Sequence, residues 1–311
     1  MAYRLFLLGF VTLLSLTVLF SVYKQHTLPY ISLQSPAVNN TPYTEDSRET
    51  VRIASVGSAS ARCTIAYYDS FLSYLEKQAG IRTELVLRKS YREIIDLLLS
   101  GQVEFAFISS SLYVTDTAGD KLELLLIPQP ACDITYTSCI FVHHDSKLNT
   151  LAELRGKTFA FTDPDSALGC LYPTYLLKLY GESPESYFSS YHYVYSVDYA
   201  VRCVASQLVE AAAADSLHLQ YLLCNDRELK DKIKIIHTSG YLPLDPLVAG
   251  DSLAPEVKEK VISLLLAMHE DVEGMEILAQ LGFSRFTTAR PEDYDIITKM
   301  ATTLGGSGND F

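Results

Sequence analysis

From Val51 onward, short apolar runs alternate with longer amphipathic ones, and this alternation restricts the fold more than any other feature. The runs "VRIASVG", "TELVLR" and "VEFAFIS" have the length and composition of buried strands, and helical patterns lie between them in "YYDSFLSYLEKQAG" and "SYREIIDLLLSG". Strands separated by helices favour βαβ units. We therefore predict an α/β architecture in which ligands collect where strands end and helices begin.

A second stretch of the chain repeats the alternation. Strand-like runs occur in "TSCIFVHHDS", "KTFAF", "VEAAAADS" and "KIKIIHTSG", and a helix is predicted from about residue 168 to residue 180. At 311 residues the chain is long enough for two lobes with separate cores. We predict two α/β lobes, followed by the helix "APEVKEKVISLLLAMHED" with Pro255 in its first turn.

An uncharged apolar run at 5–23 is about long enough to cross a bilayer once as a helix. The residues after it offer no small-x-small cleavage site, and no cysteine follows directly to accept a lipid. We interpret 1–24 as a signal anchor, with a cleaved signal peptide as the alternative, and 25–49 as a polar linker. The folded part is then extracytoplasmic, periplasmic or at the cell surface, and anchored to the cytoplasmic membrane.

Charge, cysteine content and motifs limit the function. The chain has 37 acidic against 25 basic side chains, a net charge of -12 and no basic run, which argues against a nucleic-acid partner. Its six cysteines follow the apolar run, so disulfides and buried free thiols both remain open. No G-x-S-x-G, Walker loop or zinc-protease helix occurs, and the histidines lack metal-ligand spacing. We expect no enzyme, no metal site and no cofactor.

The segment "FTDPDSALGC", 161–170, joins a strand to the predicted helix. Amides at a helix start have no intrahelical partner and attract anions, and Ser166 either caps one of them or turns its hydroxyl to a ligand. Ala167 and Leu168 add no hydroxyl, but we expect the backbone amides of the turn to stay available. Asp198 near a later helix start is explained equally well as an anionic cap of that helix.

Four separated motifs occur in a characteristic order: "SGQVEFAFISSSLYV", "LAELRGKTFAFTDPDSALGCLYP", "VDYAVRCVASQLVEAAAADS" and "SGYLPLDPLVAGDSLAPEVKEKV". Over about residues 51 to 300 the chain thereby resembles the phosphate, phosphite and phosphonate-type substrate-binding proteins of ABC importers. The resemblance implies a two-lobed type II periplasmic-binding-protein fold with a ligand cleft between the lobes. It assigns 50–138 and 239–304 to lobe 1 and 139–238 to lobe 2, with a hinge near 137–142 and 236–241. The composition of 305–311 separately indicates a disordered tail.

The resemblance also implies a ligand site. Tyr91 and Tyr136 match tyrosines that reach the ligand in the family, Ser166 matches the first hydroxyl of a Ser-Thr-Ser turn, and Asp245 matches an acidic residue facing the ligand. The ligand-binding residues predicted in this way are Tyr91, Tyr136, Ser166, Ala167, Leu168, Asp198, Asp215 and Asp245.

This chain departs from the family pattern at four positions. Ala167 and Leu168 replace two hydroxyl residues, Val197 replaces a pocket His, and an expected carboxylate falls on Leu217, two residues after Asp215. Each missing hydroxyl would have contributed about 1.5 to 3 kcal/mol to holding an anion. We therefore expect a small oxyanion, zwitterion or other polar ligand, bound less tightly than the family binds phosphonates.

Two functions remain open at this point. The leading hypothesis is an extracytoplasmic solute-binding protein that captures a phosphate- or phosphonate-like small molecule for the permease of an ABC transporter. The alternative is a membrane-anchored sensing module with a degenerate site, whose closure is read by a membrane sensor protein. In both cases the chain contacts the membrane through its N-terminal helix.

Overall fold

The computed structural model describes residues 49–57, 61–115, 122–131, 135–250 and 254–305, and only the backbone of 61–67. The strands are β1 (Thr50–Val56), β2 (Arg82–Arg88), β3 (Phe105–Phe107), β4 (Glu123–Pro130), β5 (Ser138–His143), β6 (Thr158–Phe161), β7 (Ser190–Tyr193), β8 (Ala211–Asp215), β9 (Ile233–Thr238), β10 (Leu247–Ala249) and β11 (Phe283–Thr288). The helices are α1 (Ala61–Ala79), α2 (Tyr91–Leu99), α3 (Ser110–Thr115), α4 (Tyr172–Leu179), α5 (Pro184–Tyr187), α6 (Val197–Ala205), α7 (Ser216–Asn225), α8 (Arg227–Lys230), α9 (Pro255–Ala267), α10 (Val272–Gln280) and α11 (Asp295–Thr303).

The first sheet has the strand order β11-β4-β10-β3-β1-β2. β1 pairs in parallel with β2 and β3, as the predicted βαβ units require. β10 lies between β3 and β4 and is antiparallel to both, and β11 is antiparallel to β4. A strand late in the sequence thus completes a sheet that the first strands began. We call this sheet with its helices lobe 1.

The second sheet, with its helices, is called lobe 2 and has the order β7-β6-β8-β5-β9. Its middle strand β8 consists of four fully buried alanines and Asp215. Ala212 and Ala214 pack with residues of α6 and α7, whereas Ala211 and Ala213 pack with residues of α4 and α5. Small side chains are required on both faces because β8 is covered from both sides.

Two segments connect the lobes: one leads from β4 to β5, and the other, 239–246, leads from β9 to β10. The segments lie side by side, since the Leu242 amide donates to the Tyr136 carbonyl at 3.0 Å and the Ser239 amide donates to the Ser138 carbonyl at 2.9 Å. The described chain is therefore a two-lobed α/β protein. The predicted hinge windows 137–142 and 236–241 overlap these segments but also include paired residues of β5 and β9.

The helix predicted from about residue 168 to residue 180 consists of two elements. A π-helical turn, Ala167–Leu171, precedes α4. In this turn the Ser166 carbonyl accepts hydrogen bonds from two successive amides, at 3.1 and 2.9 Å. An α-helix tolerates Pro173 only near its start because proline has no amide hydrogen, so α4 begins one residue before it.

Some sequence predictions concern residues outside the described ranges. The anchor, nearly all of the linker and most of the tail fall within 1–48 and 306–311. Within the described ranges, no helix combines the length and apolar character needed to cross a membrane. The thiols described there are free, with two of them buried: Cys139, Cys170, Cys203 and Cys224.

Candidate functional site

Two adjoining cavities lie between the lobes. Cavity 1 contains about 490 Å³ of empty space and cavity 2 about 470 Å³, each including space open to solvent. Residues from both lobes line both cavities, namely Val56, Tyr91, Tyr136, His218 and Asp245. The two cavities are therefore parts of one cleft.

Most of the residues predicted from the sequence line this cleft. Those in the lining are Tyr91, Tyr136, Ser166, Ala167, Leu168, Asp215 and Asp245. Asp198 does not line either cavity: its carboxylate accepts a hydrogen bond from Arg202 Nε at 2.8 Å, one turn further along α6. Ser196 caps α6, which leaves Asp198 in the first turn as a favourable charge near the helix N-terminus.

Tyr91 and Asp245 meet in the lobe 1 wall of the cleft. Tyr91 opens α2 after the N-cap Ser90, and its hydroxyl donates to Asp245 Oδ2 at 3.0 Å. The Ser110 amide, at the start of α3, donates to the other carboxylate oxygen at 2.9 Å. Burial raises the pKa of Asp245 to about 6, although these hydrogen bonds oppose the shift. This carboxyl therefore holds a proton more readily than an exposed aspartate does.

Asp215 and His218 form an ion pair in the lobe 2 wall. Asp215 ends β8 and caps α7, and its Oδ1 accepts from the His218 amide at 2.8 Å and lies 2.9 Å from His218 Nδ1. Burial alone would raise the pKa of Asp215, but the charge and hydrogen bonds of His218 outweigh burial and lower it. Burial would likewise lower the pKa of His218, but the charge of Asp215 outweighs burial and raises it. The carboxylate thus favours the protonated, positively charged form of the imidazole.

The turn at 161–170 forms one end of cavity 2. Ser166 acts as the N-cap, and its Oγ accepts a hydrogen bond from the Gly169 amide at 3.0 Å. A Cβ on Gly169 would lie 1.7 Å from Thr162 Oγ1, so only glycine fits this close approach. The hydroxyl hydrogen of Ser166 remains able to donate, because the cap uses the oxygen only as an acceptor.

The amide of Ala167 is not available to a ligand, contrary to our expectation from the sequence. It donates to the buried Ser109 Oγ of lobe 1 at 3.0 Å. The side chains of Ala167 and Leu168 are 2% exposed and pack into the apolar core of lobe 1. This part of the turn therefore joins the lobes, because its donor and its side chains both contact lobe 1.

Asp163 makes a second direct contact between the lobes. Its Oδ2 accepts from the Tyr91 amide in lobe 1 at 3.2 Å, while its Oδ1 accepts from the Asp165 amide at 2.8 Å. Arg92 of lobe 1 adds an ion pair with Asp165 at 3.3 Å. Burial raises the pKa of Asp163 to about 6, against the effect of the two hydrogen bonds.

Lys89 supplies a second positive charge to the cleft. It lines cavity 2, and its Nζ lies 4.6 Å from the centre of the Tyr195 ring in lobe 2, a cation–π distance. The charged groups that line cavity 2 are Lys89, Asp163, Asp215, His218 and Asp245. Because carboxylates outnumber the cations, a dianion is less favourable there than a monoanion or a zwitterion.

Lys89, Asp163, His218 and Ser109 are site residues that we did not predict from the sequence. Asp163 lies in the turn at 161–170, which the sequence singles out. His218 follows Asp215 by three residues, the spacing of neighbours on one helix face. Those two signals were present in the sequence. Lys89 and Ser109 had no comparable sequence signal, because their partners in lobe 2 are distant in the sequence and only the tertiary structure brings them together.

A family model described as "ABC transporter, phosphonate, periplasmic substrate-binding protein" matches residues 54–294 of this chain. Among characterised proteins, the chain is 26% identical over 239 residues to the phosphate-import protein PhnD of Mycolicibacterium smegmatis, covering 73% of this chain and 74% of that protein. It is 24% identical over 261 residues to the phosphonates-binding periplasmic protein of Escherichia coli, covering 82% and 75%.

Solved structures share the fold. A binding protein component of an ABC phosphonate transporter from Pseudomonas aeruginosa superposes with a TM-score of 0.77 at 22% identity, covering 83% of this chain and 87% of that one. PhnD1 of Prochlorococcus marinus, in complex with methylphosphonate, superposes with a TM-score of 0.71 at 16% identity, covering 83% and 99%. At these identities the likeness establishes the two-lobed binding-protein fold.

Proposed function

Because this chain belongs to the periplasmic substrate-binding family of phosphonate ABC transporters, we propose that it captures a small phosphonate- or phosphate-like molecule between its lobes and delivers it to the permease of an ABC importer. The observation that carries the proposal is the convergence of both lobes on one cleft. Tyr91, Asp245 and Lys89 come from lobe 1, and the Ser166 turn and the Asp215–His218 pair come from lobe 2. A ligand in contact with both walls favours the closed arrangement of the lobes.

The charges of the cleft favour a particular form of the ligand. Lys89 and His218 attract an acidic group, and the Ser166 hydroxyl can donate to one of its oxygens. Asp245 and Asp163, each with a pKa raised to about 6, repel a dianion but can accept a hydrogen bond from a protonated oxygen or an ammonium group. These features support a phosphonate monoanion or an aminophosphonate zwitterion as the bound form.

A thermal-shift titration of the full-length protein tests this function. Phosphate, phosphite, methylphosphonate and 2-aminoethylphosphonate are the ligands, with sulfate and glutamate as controls. A ligand present at 100 times its dissociation constant stabilises the folded state by about 2.7 kcal/mol. We expect such a shift with at least one phosphorus compound and none with glutamate. The absence of a shift with every phosphorus compound would contradict the proposed function.

We further propose that the apolar run at 5–23 anchors the protein to the cytoplasmic membrane with its lobes outside the cytoplasm. The support is the length and lack of charge of this run, together with the absence of a cleavage site after it. N-terminal sequencing of protein from the membrane fraction tests the anchor. A mature chain that starts after Tyr23 would refute it.

A further inference from the structure

The two cavities of the cleft differ in chemical character. One wall of cavity 1 is apolar and is formed mainly by lobe 1, with one residue from α7 of lobe 2. Its members are Val56, Tyr68, Phe107, Pro128, Leu217, Leu244 and Phe283. Cavity 2 adds Lys89, Asp163, Asp215 and the Ser166 turn, whereas His218 and Asp245 line both cavities. A ligand that extends through the cleft therefore meets a polar environment at one end and an apolar one at the other.

Most of the polar groups that line cavity 1 already have hydrogen-bond partners. Ser55 Oγ lies 3.3 Å from Tyr68 Oη, Tyr91 Oη donates to Asp245, and His218 pairs with Asp215. Groups that already have partners gain little from a polar ligand atom, whereas apolar side chains gain from covering by carbon atoms. Cavity 1 is therefore better suited to a hydrocarbon group than to a second charged group.

Leu217 is the residue by which lobe 2 contributes to this apolar wall. It follows Ser216 at the start of α7, is partly buried, and packs against the apolar core of lobe 1. It also lines cavity 1 directly beside His218. Two consecutive residues of α7 thus present an apolar and a basic side chain to cavity 1, and only His218 also lines cavity 2.

From this division we propose that the ligand is an organophosphonate with an apolar substituent of two or more carbons, with the acidic group in cavity 2 near Lys89 and the substituent in cavity 1. The inference rests on the proposed function, because it specifies the ligand of the same cleft. It predicts that the protein distinguishes alkylphosphonates by the length of their hydrocarbon chain. Inorganic phosphate, which has no substituent, is then a weak ligand.

Calorimetry on the full-length protein with phosphate and with methyl-, ethyl- and propylphosphonate tests the inference. We expect affinity to rise about fourfold with each added methylene, the factor that burial of one CH₂ supplies. An affinity that stays constant or falls from methyl- to propylphosphonate would overturn the proposal while leaving the proposed function intact. A failure of all four compounds to bind would overturn the proposal, and it would contradict the proposed function itself only if phosphite and 2-aminoethylphosphonate also failed to bind.

A matched pair of variants locates the effect. In Leu217→Asn the wall loses apolar surface, and we expect the gain from methyl- to propylphosphonate to shrink at least fivefold. Leu208→Asn is the control, because Leu208 is 74% exposed in the same lobe, and it should keep the full gain. Leu217→Met retains apolar surface and should also keep most of the affinity gain from methyl- to propylphosphonate. This variant distinguishes the loss of an apolar contact from a folding defect. An unchanged gain in Leu217→Asn would show that the substituent does not enter cavity 1.

Discussion

At the residue scale, the backbone amide and the side-chain hydroxyl of Ser110 differ in their hydrogen bonding. Its amide holds Asp245, but its hydroxyl is fully buried and, among the described residues, has no hydrogen-bond partner. A buried hydroxyl without a partner has lost its hydration and gained no bond in return. The amide of Ser110 therefore fixes the position of the chain beside Asp245, and the hydroxyl does not contribute to this contact.

We predict that Ser110→Ala raises the free energy of unfolding by about 1 kcal/mol, because it removes an unsatisfied buried group and keeps the amide. Urea denaturation of the two proteins measures the change. Thr115→Val is the comparison: its hydroxyl does have an acceptor, the Ser111 carbonyl at 3.0 Å in the same helix, so it should not be stabilising. A loss of stability in Ser110→Ala would mean that the hydroxyl makes a bond in solution.

Asp163 and Asp245 give the stability a defined pH dependence. Burial raises the pKa of both to about 6, whereas an aspartate in an unfolded chain has a pKa of about 3.9. Between about pH 4 and 6 the folded state therefore binds more protons than the unfolded state, and these two groups lower the free energy of unfolding as pH rises. Asp215 and His218 face Asp245 and have pKa values shifted in the opposite directions, lowered for Asp215 by the charge of His218 and raised for His218 by the charge of Asp215.

The double variant Asp163→Asn with Asp245→Asn should remove this contribution. Relative to the wild type, its free energy of unfolding should increase by about 4 kcal/mol between pH 4 and pH 6, about 2 kcal/mol for each carboxyl. Urea denaturation at several pH values gives both curves, and only their difference is used because other carboxylates titrate in both proteins. Parallel curves would show that the two carboxyls have ordinary pKa values in the folded state.

At the scale of elements, the turn at 161–170 exchanges contacts across the cleft with the N-termini of α2 and α3. Lobe 1 provides Ser109 as the acceptor for the Ala167 amide, and lobe 2 provides Asp163 as the acceptor for the Tyr91 amide. Each lobe thus satisfies an amide of the other near the start of a helix. Contacts of this kind favour closure through groups of the protein itself.

We predict that Ser109→Ala weakens closure in the ligand-free protein. Ser109 Oγ also accepts from the Ser111 amide at 3.3 Å within lobe 1, but only the bond to the Ala167 amide crosses the cleft. Loss of that bond, with a net value of about 0.5 to 1.5 kcal/mol, should increase local opening roughly two- to tenfold. Hydrogen exchange, followed by mass spectrometry of a peptide covering 163–171, reports this opening. Thr115→Val should leave that exchange unchanged, since its bond lies within α3. Equal exchange in Ser109→Ala and the wild type would mean that this bond does not hold the lobes.

At the scale of the whole molecule, two connecting segments and the facing walls of the cleft govern the arrangement of the lobes. The segments are hydrogen-bonded to each other, and α11 of lobe 1 also packs against α4 of lobe 2. Lobes joined in this way can rotate about the connecting segments, so open and closed populations should coexist. A ligand that touches both walls shifts the balance toward the closed one.

We therefore predict that saturation with a phosphonate that binds in the cleft reduces the radius of gyration of the full-length protein. Small-angle X-ray scattering with and without the ligand measures this change. The reduction should be larger in Ser109→Ala than in the wild type, because the variant begins with a larger open population. A radius of gyration that a cleft ligand leaves unchanged in both proteins would contradict rotation of the lobes.

The sequence by itself determined the features that depend on local periodicity and local hydrogen bonding. Alternating strands and amphipathic helices predicted the α/β class, and the strand-to-helix turn predicted the capping role of Ser166. Most of the residues that the family resemblance supplied line the cleft, but it also selected Asp198, which pairs with Arg202 outside the lining. A pair such as Asp198 and Arg202 forms because the two residues are neighbours on one helix. The sequence does not show whether that side of the helix lies toward the cleft.

Only the tertiary structure decided which distant residues meet. β10 enters between β3 and β4 after the chain has built the other lobe, and this brings Asp245 to Tyr91, 154 positions away. The same folding brings Ser109 to the Ala167 amide, 58 positions away, which withdraws a donor that the turn alone would offer to an anion. Hydrophobic periodicity records which face of an element is buried but not which element covers it, and the chemistry of this cleft depends on that second choice.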